Sequence, residues 1–216
     1  MIDIRDDWKS KLVVYAITDD REDTKSLLAA VEAALAGGAT AIQLRRKRDD
    51  GGPMLRLGLE IRRLTREARA LYIVNDRVDI ALLTEADGIH VGQTDIPCKR
   101  VRELAPDKLI GVSARTTAEA FEAERDGADY VGVGAVFPTT TKADAIHSGI
   151  DTLRAIAGTS SIPVVAIGGI DIARAPQVLA AGADGLAVVS AIMSAPSPRD
   201  AARAFASLYR ESDRSR

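Results

Sequence analysis

The chain has one cysteine in 216 residues, Cys98, which excludes an internal disulfide and any cysteine-rich metal site and suits a reducing compartment. Neither sign of charge is in excess. The 29 Lys and Arg residues stand against 31 Asp and Glu, for a net charge of -2, so neither a polyanion-binding face nor a membrane-attracted surface is expected. No apolar run approaches the ~20 residues that span a bilayer, and the first residues, MIDIRDDWKS, lack the apolar core of a secretory signal. There is no Ser-His-Asp set, no histidine pair at metal-ligand spacing and no Walker glycine loop. These absences point to a soluble, cytoplasmic protein with no membrane or nucleic-acid partner, and they leave room for a homo-oligomer.

What is present is a recurring apolar rhythm. Eight short runs are rich in aliphatic residues: KLVVYAIT (11–18), AIQLR (41–45), LYIVN (71–75), GIHVG (88–92), LIGVS (109–113), YVGVGAV (130–136), PVVAIGG (163–169) and GLAVVS (185–190). They do not alternate with polar residues, which is the pattern of strands covered on both faces. Helical patterns fill the gaps. Leu27, Leu28, Val31 and Leu35 share one stripe that ends at Gly37 and Gly38; Thr117 reads as an N-cap with Phe121 on the buried stripe of its helix. A phrase recurs before four strands, GGATAIQL, EADGIHVG, DGADYVGVG and AGADGLAVV, so one helix-to-strand turn is reused. Eight strand-plus-helix units of about 27 residues predict a single-domain (β/α)8 TIM barrel over 1–216, with the barrel at 11–210 and a frayed tail at 211–216. The rival, a doubly wound sheet, would carry a glycine-rich phosphate turn after its first strand. That turn reads TDDRED, without glycine.

In such a barrel the chemistry gathers at the C-terminal strand ends. Asp76 and Asp95 follow consecutive strands, ~4.8 Å apart in a sheet, and two carboxylates completed by water and phosphate oxygens describe a Mg²⁺ site. The alternative is that Asp76 pairs with Arg77 or caps the helix opening at Val78. Arg45, Lys47 and Lys142 bring three cations to the same rim, which suits a substrate with several negative charges, such as a pyrophosphate. Residues 43, 45 and 47 share a face of the extended chain, whereas Arg46, Arg48, Asp49 and Asp50 read as solvated charge. Gly168 and Gly169 after the seventh strand and Ser190 after the eighth fall where these barrels usually hold a phosphate on backbone donors, the alternative for the two glycines being a tight strand-to-helix turn. His90 reads as a packed strand residue; His147 is uninformative.

The phrases QLRRK, IVNDRVDIAL, DGIHVGQTDIP, GVSA, GADYVGVGAVFPTTTK, AIGGI and GADGLAVVSAI resemble, in order and spacing, the thiamine phosphate synthases. That family joins hydroxymethylpyrimidine pyrophosphate to hydroxyethylthiazole phosphate with Mg²⁺ and releases pyrophosphate. The resemblance implies that Gln43 holds the pyrimidine, that Arg45, Lys47, Ser113 and Lys142 hold the pyrophosphate beside Asn75, and that Asp76 and Asp95 bind the metal. Thr139, Thr141, Gly169, Val189 and Ser190 would hold the thiazole phosphate. The chain departs from the family pattern at Arg46, where Glu is frequent, in the proline-free ADAIHSG after Lys142, and at Arg115, where many relatives carry His. A thiazole tautomerase of the same fold, thought to use a histidine near 115, is the second reading; a non-catalytic sensor of phosphorylated thiamine precursors is the third.

Overall fold

The computed structural model describes residues 7–47, 49–139 and 148–213. Strands and helices alternate: β1 (Val14–Ile17), α1 (Thr24–Gly37), β2 (Ala41–Leu44), α2 (Gly51–Ala68), β3 (Leu71–Asn75), α3 (Val78–Leu83), β4 (Gly88–Val91), α4 (Cys98–Leu104), β5 (Leu109–Ala114), α5 (Thr117–Arg125), β6 (Tyr130–Val133), α6 (Gly149–Ala157), β7 (Val164–Ile167), α7 (Ala175–Ala180) and β8 (Gly185–Val188). A short helix α8 (Ser190–Met193) and the terminal α9 (Pro198–Asp213) complete the chain. The strands form one closed barrel in sequence order, all neighbours parallel, with β8 returning to β1 through Val14↔Leu186. This is the expected TIM barrel.

Two apolar layers hold it. Between strands and helices lie residues such as Val31, Ile42, Ile61, Ile89, Val131 and Leu186. Inside the barrel, Leu12, Tyr15, Leu71, Ile73, Tyr130 and Val165 form a second cluster, with Trp8 packed against it. Each strand therefore has both faces covered, which is why the runs show no alternation.

The reused phrase has a structural purpose. The residue after its alanine reaches back to the start of the preceding strand: Thr40 Oγ1 accepts from Val14 N–H at 3.0 Å, Asp87 from Tyr72 at 2.8 Å, Asp129 from Ile110 at 2.7 Å and Asp184 from Val164 at 2.7 Å. The backbone N–H of each of these residues donates in return to the carbonyl of its partner. All four lie ahead of even-numbered strands at the N-terminal rim, so odd and even strands are clamped in pairs. Arg62 adds a two-point bond to Asp87, at 2.7 and 3.0 Å, and Arg102 reaches Asp129 at 2.6 Å.

Several expectations shift. The cap of α5 is Thr116, whose hydroxyl accepts from Glu119 N–H at 3.1 Å, one residue earlier than expected. Ala120 and Ala123 face the barrel and Phe121 is 68% exposed; the helix approaches the sheet on small residues and turns its one aromatic ring outward. β6 ends at Val133, yet Val136 and Phe137 still donate to the carbonyls of Ile167 and Gly168, so the chain leaves the strand while laced to β7. α9 runs to Asp213, into the segment expected to be frayed.

Candidate active site

A cavity of about 760 Å³ opens at the C-terminal end of the barrel, within the usual range for small-molecule sites. From β2 and the loop after it come Gln43, Arg45 and Lys47, from the end of β3 and the turn after it Asn75 and Asp76, from the turn after β4 Asp95, and from β5 Ser113. Across the mouth stand Thr139, Gly169, Val189 and Ser190. Every expected site residue in the described part of the chain thus lines one cavity. Thr141 and Lys142 lie outside the described residues, as do Arg48, Thr140 and His147.

On the β2–β4 side the backbone is pinned before the side chains enter. Thr18, fully buried, accepts from Arg45 N–H at 2.9 Å and donates to Arg45 C=O at 3.2 Å, which fixes where the Arg45 guanidinium starts. Asp20 stands 3.7 Å from that guanidinium. Arg46, expected to be solvated, is instead half-buried, its side chain only 8% exposed. It donates to Arg21 C=O at 2.6 Å and to Asp49 at 2.8 Å. The planar guanidinium can bond two loops at once, so Arg46 straps the loop after β1 to the loop after β2.

Asp76 carries the clearest electrostatic signature. Burial, then the Asp95 carboxylate and a hydrogen bond to it, push its carboxyl up to about 6, against the pull of Lys47 and Arg45. Its φ of 60° is left-handed, a costly geometry for a non-glycine residue that persists where the surroundings enforce it. Neither alternative role for it holds: the cap position of α3 is Arg77, and Arg77 bonds Asp79 at 2.9 and 2.6 Å. Asp95 is oriented by Gly92 N–H, which donates to its carboxylate at 2.9 Å. Two carboxylates in mutual contact, one of them held toward the proton-bearing form, are a pair that a divalent cation would relieve. Among the described residues no third His, Cys, Asp or Glu joins a metal-binding group. That donor set fits Mg²⁺, which keeps waters and takes phosphate oxygens, better than Zn²⁺ or Ca²⁺.

The opposite side is built from backbone. Gly168 and Gly169 have φ of 98° and 65°, and a Cβ on Gly169 would fall 2.6 Å from Pro138 O. Glycine is therefore required both for the turn and for the close approach of the loops after β6 and β7. Val189 occupies the cap position of α8, so its neighbours present the opening amides of a helix beside that turn.

The floor was only partly legible. His90, expected to be packed in the core, is half-buried and lines the cavity, where its Nε2 lies 3.0 Å from Ser113 Oγ and its Nδ1 3.2 Å from the Tyr130 hydroxyl. Tyr15 and Tyr130 also reach the cavity and were missed; the available signal was a phenol inside an aliphatic strand, whose hydroxyl needs a partner. Arg115, beside Glu119 at 3.5 Å, and Arg174, whose guanidinium lies 5.0 Å from the Phe137 ring centre, edge the mouth and were likewise not anticipated as a pair.

The chain is similar to known proteins over most of its length. Residues 14–192 match the family model described as thiamine monophosphate synthase. The chain is 50% identical over 204 residues to the thiamine-phosphate synthase of Chloroflexus aurantiacus, covering 94% of this chain and 93% of that one. It is 48% identical to that of Pyrococcus abyssi, with 94% and 98% covered. A solved structure, thiamine phosphate pyrophosphorylase from Pyrococcus furiosus, superimposes with a TM-score of 0.89 at 45% identity, covering 94% of this chain and 98% of the other.

Proposed function

The chain belongs to the thiamine monophosphate synthase family and is a transferase that forms thiamine phosphate, and from that premise we propose how its own residues carry the reaction. The observation that supports the reading best is two anion-compatible sides facing each other across one cavity. Charged side chains, Arg45, Lys47, Asp76 and Asp95, line one, and glycine turns and a helix opening line the other.

The pyrimidine pyrophosphate lies over β2–β5, its ring against Gln43 and its pyrophosphate against Arg45, Lys47, Ser113 and, from outside the described residues, Lys142, with Asn75 beside them. The thiazole phosphate lies against Thr139, Gly169, Val189 and Ser190, with Thr141 from outside the described residues. Asp76 and Asp95 would hold Mg²⁺, which supplies neutralisation of the departing pyrophosphate. The bond that breaks joins the pyrimidine methylene carbon to a pyrophosphate oxygen, and its electron pair leaves with the oxygen. The thiazole nitrogen then gives its lone pair to that carbon, which makes the new C–N bond. No proton changes hands at the reacting atoms, so the site needs cations, donors and alignment rather than a general base. That agrees with a floor where His90 is engaged by Tyr130 and Ser113.

Arg115, not a histidine, stands near the point where the tautomerase would use one, its backbone N–H donating to Glu119 at 2.6 Å. The reading is tested by incubating the protein with both precursors over a range of Mg²⁺ concentrations. Thiamine phosphate and pyrophosphate should appear in equal amounts and depend on Mg²⁺; no product at any concentration would refute it.

A further inference from the structure

We propose that Tyr130 is a positioning residue that acts through His90 to present the Ser113 hydroxyl as a hydrogen-bond donor toward the departing pyrophosphate. This rests on the assignment of Ser113 to the pyrophosphate side. Five side chains from five strands connect across the barrel floor. Gln43 Nε2 donates to the Tyr15 hydroxyl at 2.8 Å; that hydroxyl lies 3.0 Å from the Tyr130 hydroxyl; Tyr130 lies 3.2 Å from His90 Nδ1; and His90 Nε2 lies 3.0 Å from Ser113 Oγ.

Direction propagates along such a row, because each hydroxyl has one hydrogen to give. Tyr15 is 1% exposed and Tyr130 0%, so their hydrogens must go to protein partners. With Gln43 donating to Tyr15, Tyr15 donates to Tyr130, Tyr130 donates to Nδ1, and the ring proton is left on Nε2. Nε2–H then donates to Ser113 Oγ, which leaves the serine's own hydrogen to point into the cavity. The opposite direction would aim oxygen lone pairs at an anion. The barrel makes room for the row: a Cβ on Gly111 would fall 2.4 Å from the Tyr130 hydroxyl and 2.5 Å from His90 Nδ1, and one on Gly132 would fall 2.9 Å from the His90 ring.

Two measurements test this. The chain has two histidines, so long-range ¹H–¹⁵N spectra of the labelled protein at about pH 8, above the ordinary imidazole range near ~6.5, resolve His90 once His147→Gln identifies the other ring. His90 should be the Nε2–H tautomer; an Nδ1–H tautomer overturns the proposal without touching thiamine phosphate formation. In kinetics, Ser113→Ala should lose about 100-fold in turnover and Tyr130→Phe about tenfold, with the KM for the thiazole phosphate unchanged in both. The double variant should be no slower than Ser113→Ala within about twofold, since Tyr130 acts through that serine. Losses that multiply to about a thousandfold would mean that Tyr130 acts elsewhere. Should Tyr130→Phe fail to fold, the wild-type tautomer decides alone.

Discussion

At the N-terminal rim each polar side chain ahead of an even strand closes a bond to its neighbour's backbone, as Asp87 does to Tyr72 and Asp184 to Val164. At the C-terminal rim Asp76 is set against another carboxylate, in a left-handed backbone conformation and partly away from water. The four residues ahead of the even strands are bonded internally, whereas the Asp76–Asp95 pair is left to be relieved by something that binds. The same residue type therefore closes a bond at one end and sits in an unrelieved carboxylate pair at the other, and the difference lies in what faces the carboxylate. Asp87 meets an N–H and a guanidinium, whereas Asp76 meets Asp95.

Asp76→Asn should separate the two rims most sharply. Turnover should fall roughly 10²- to 10³-fold, while the metal-free protein becomes more stable at pH 8 by about 1–2 kcal/mol once solvent screening of the partly exposed carboxylate is allowed for, as read by urea unfolding. Asparagine tolerates a positive φ, so the backbone should survive the change. The sign follows from the titration: folded Asp76 keeps its proton to about 6, an unfolded aspartate only to ~3.9. Its contribution to stability is complete below ~pH 4 and is lost as the pH rises through 6.

Asp87→Ala should do the reverse. It strands Arg62, whose side chain is 10% exposed, and the Tyr72 N–H, at a cost of about 3 kcal/mol. The Tm should drop by roughly 10 °C, with KM values unchanged for the protein that remains folded. A smaller effect concerns pH: because a proton competes for Asp76, the Mg²⁺ concentration giving half-maximal activity should rise as pH falls below about 6, and a flat dependence from pH 8 to 5.5 would detach Asp76 from the metal. The smallest belongs to the outer wall. Phe121→Ala should change stability by no more than about 0.5 kcal/mol, because the ring is 68% exposed.

The barrel was legible because its strands are covered on both faces, which writes an unbroken aliphatic run into each. The mouth was legible because polar residues interrupt those runs at one end only. What stayed hidden depends on contacts between distant segments. The GAD-like phrase was visible, but its partners lie 15 to 26 residues away. Arg46 looked solvated within a charged run, and only the fold brings Arg21 C=O beneath it. Phe121 was misplaced because a large ring was read as core-facing, whereas the small side chains of Ala120 and Ala123 are the ones that pack on the barrel. Tyr15 and Tyr130 passed as strand filler, since nothing local tells a phenol that packs from one that also passes on a hydrogen bond.

The central claim, that Asp76 and Asp95 recruit Mg²⁺ to the pyrophosphate side of the mouth, is tested most directly by calorimetric titration of inorganic pyrophosphate into the wild type and Asp76→Asn, with and without Mg²⁺. Mg²⁺ should tighten pyrophosphate binding at least about tenfold in the wild type, the equivalent of ~1.4 kcal/mol, and that gain should vanish in Asp76→Asn. An equal gain in both proteins would contradict the account.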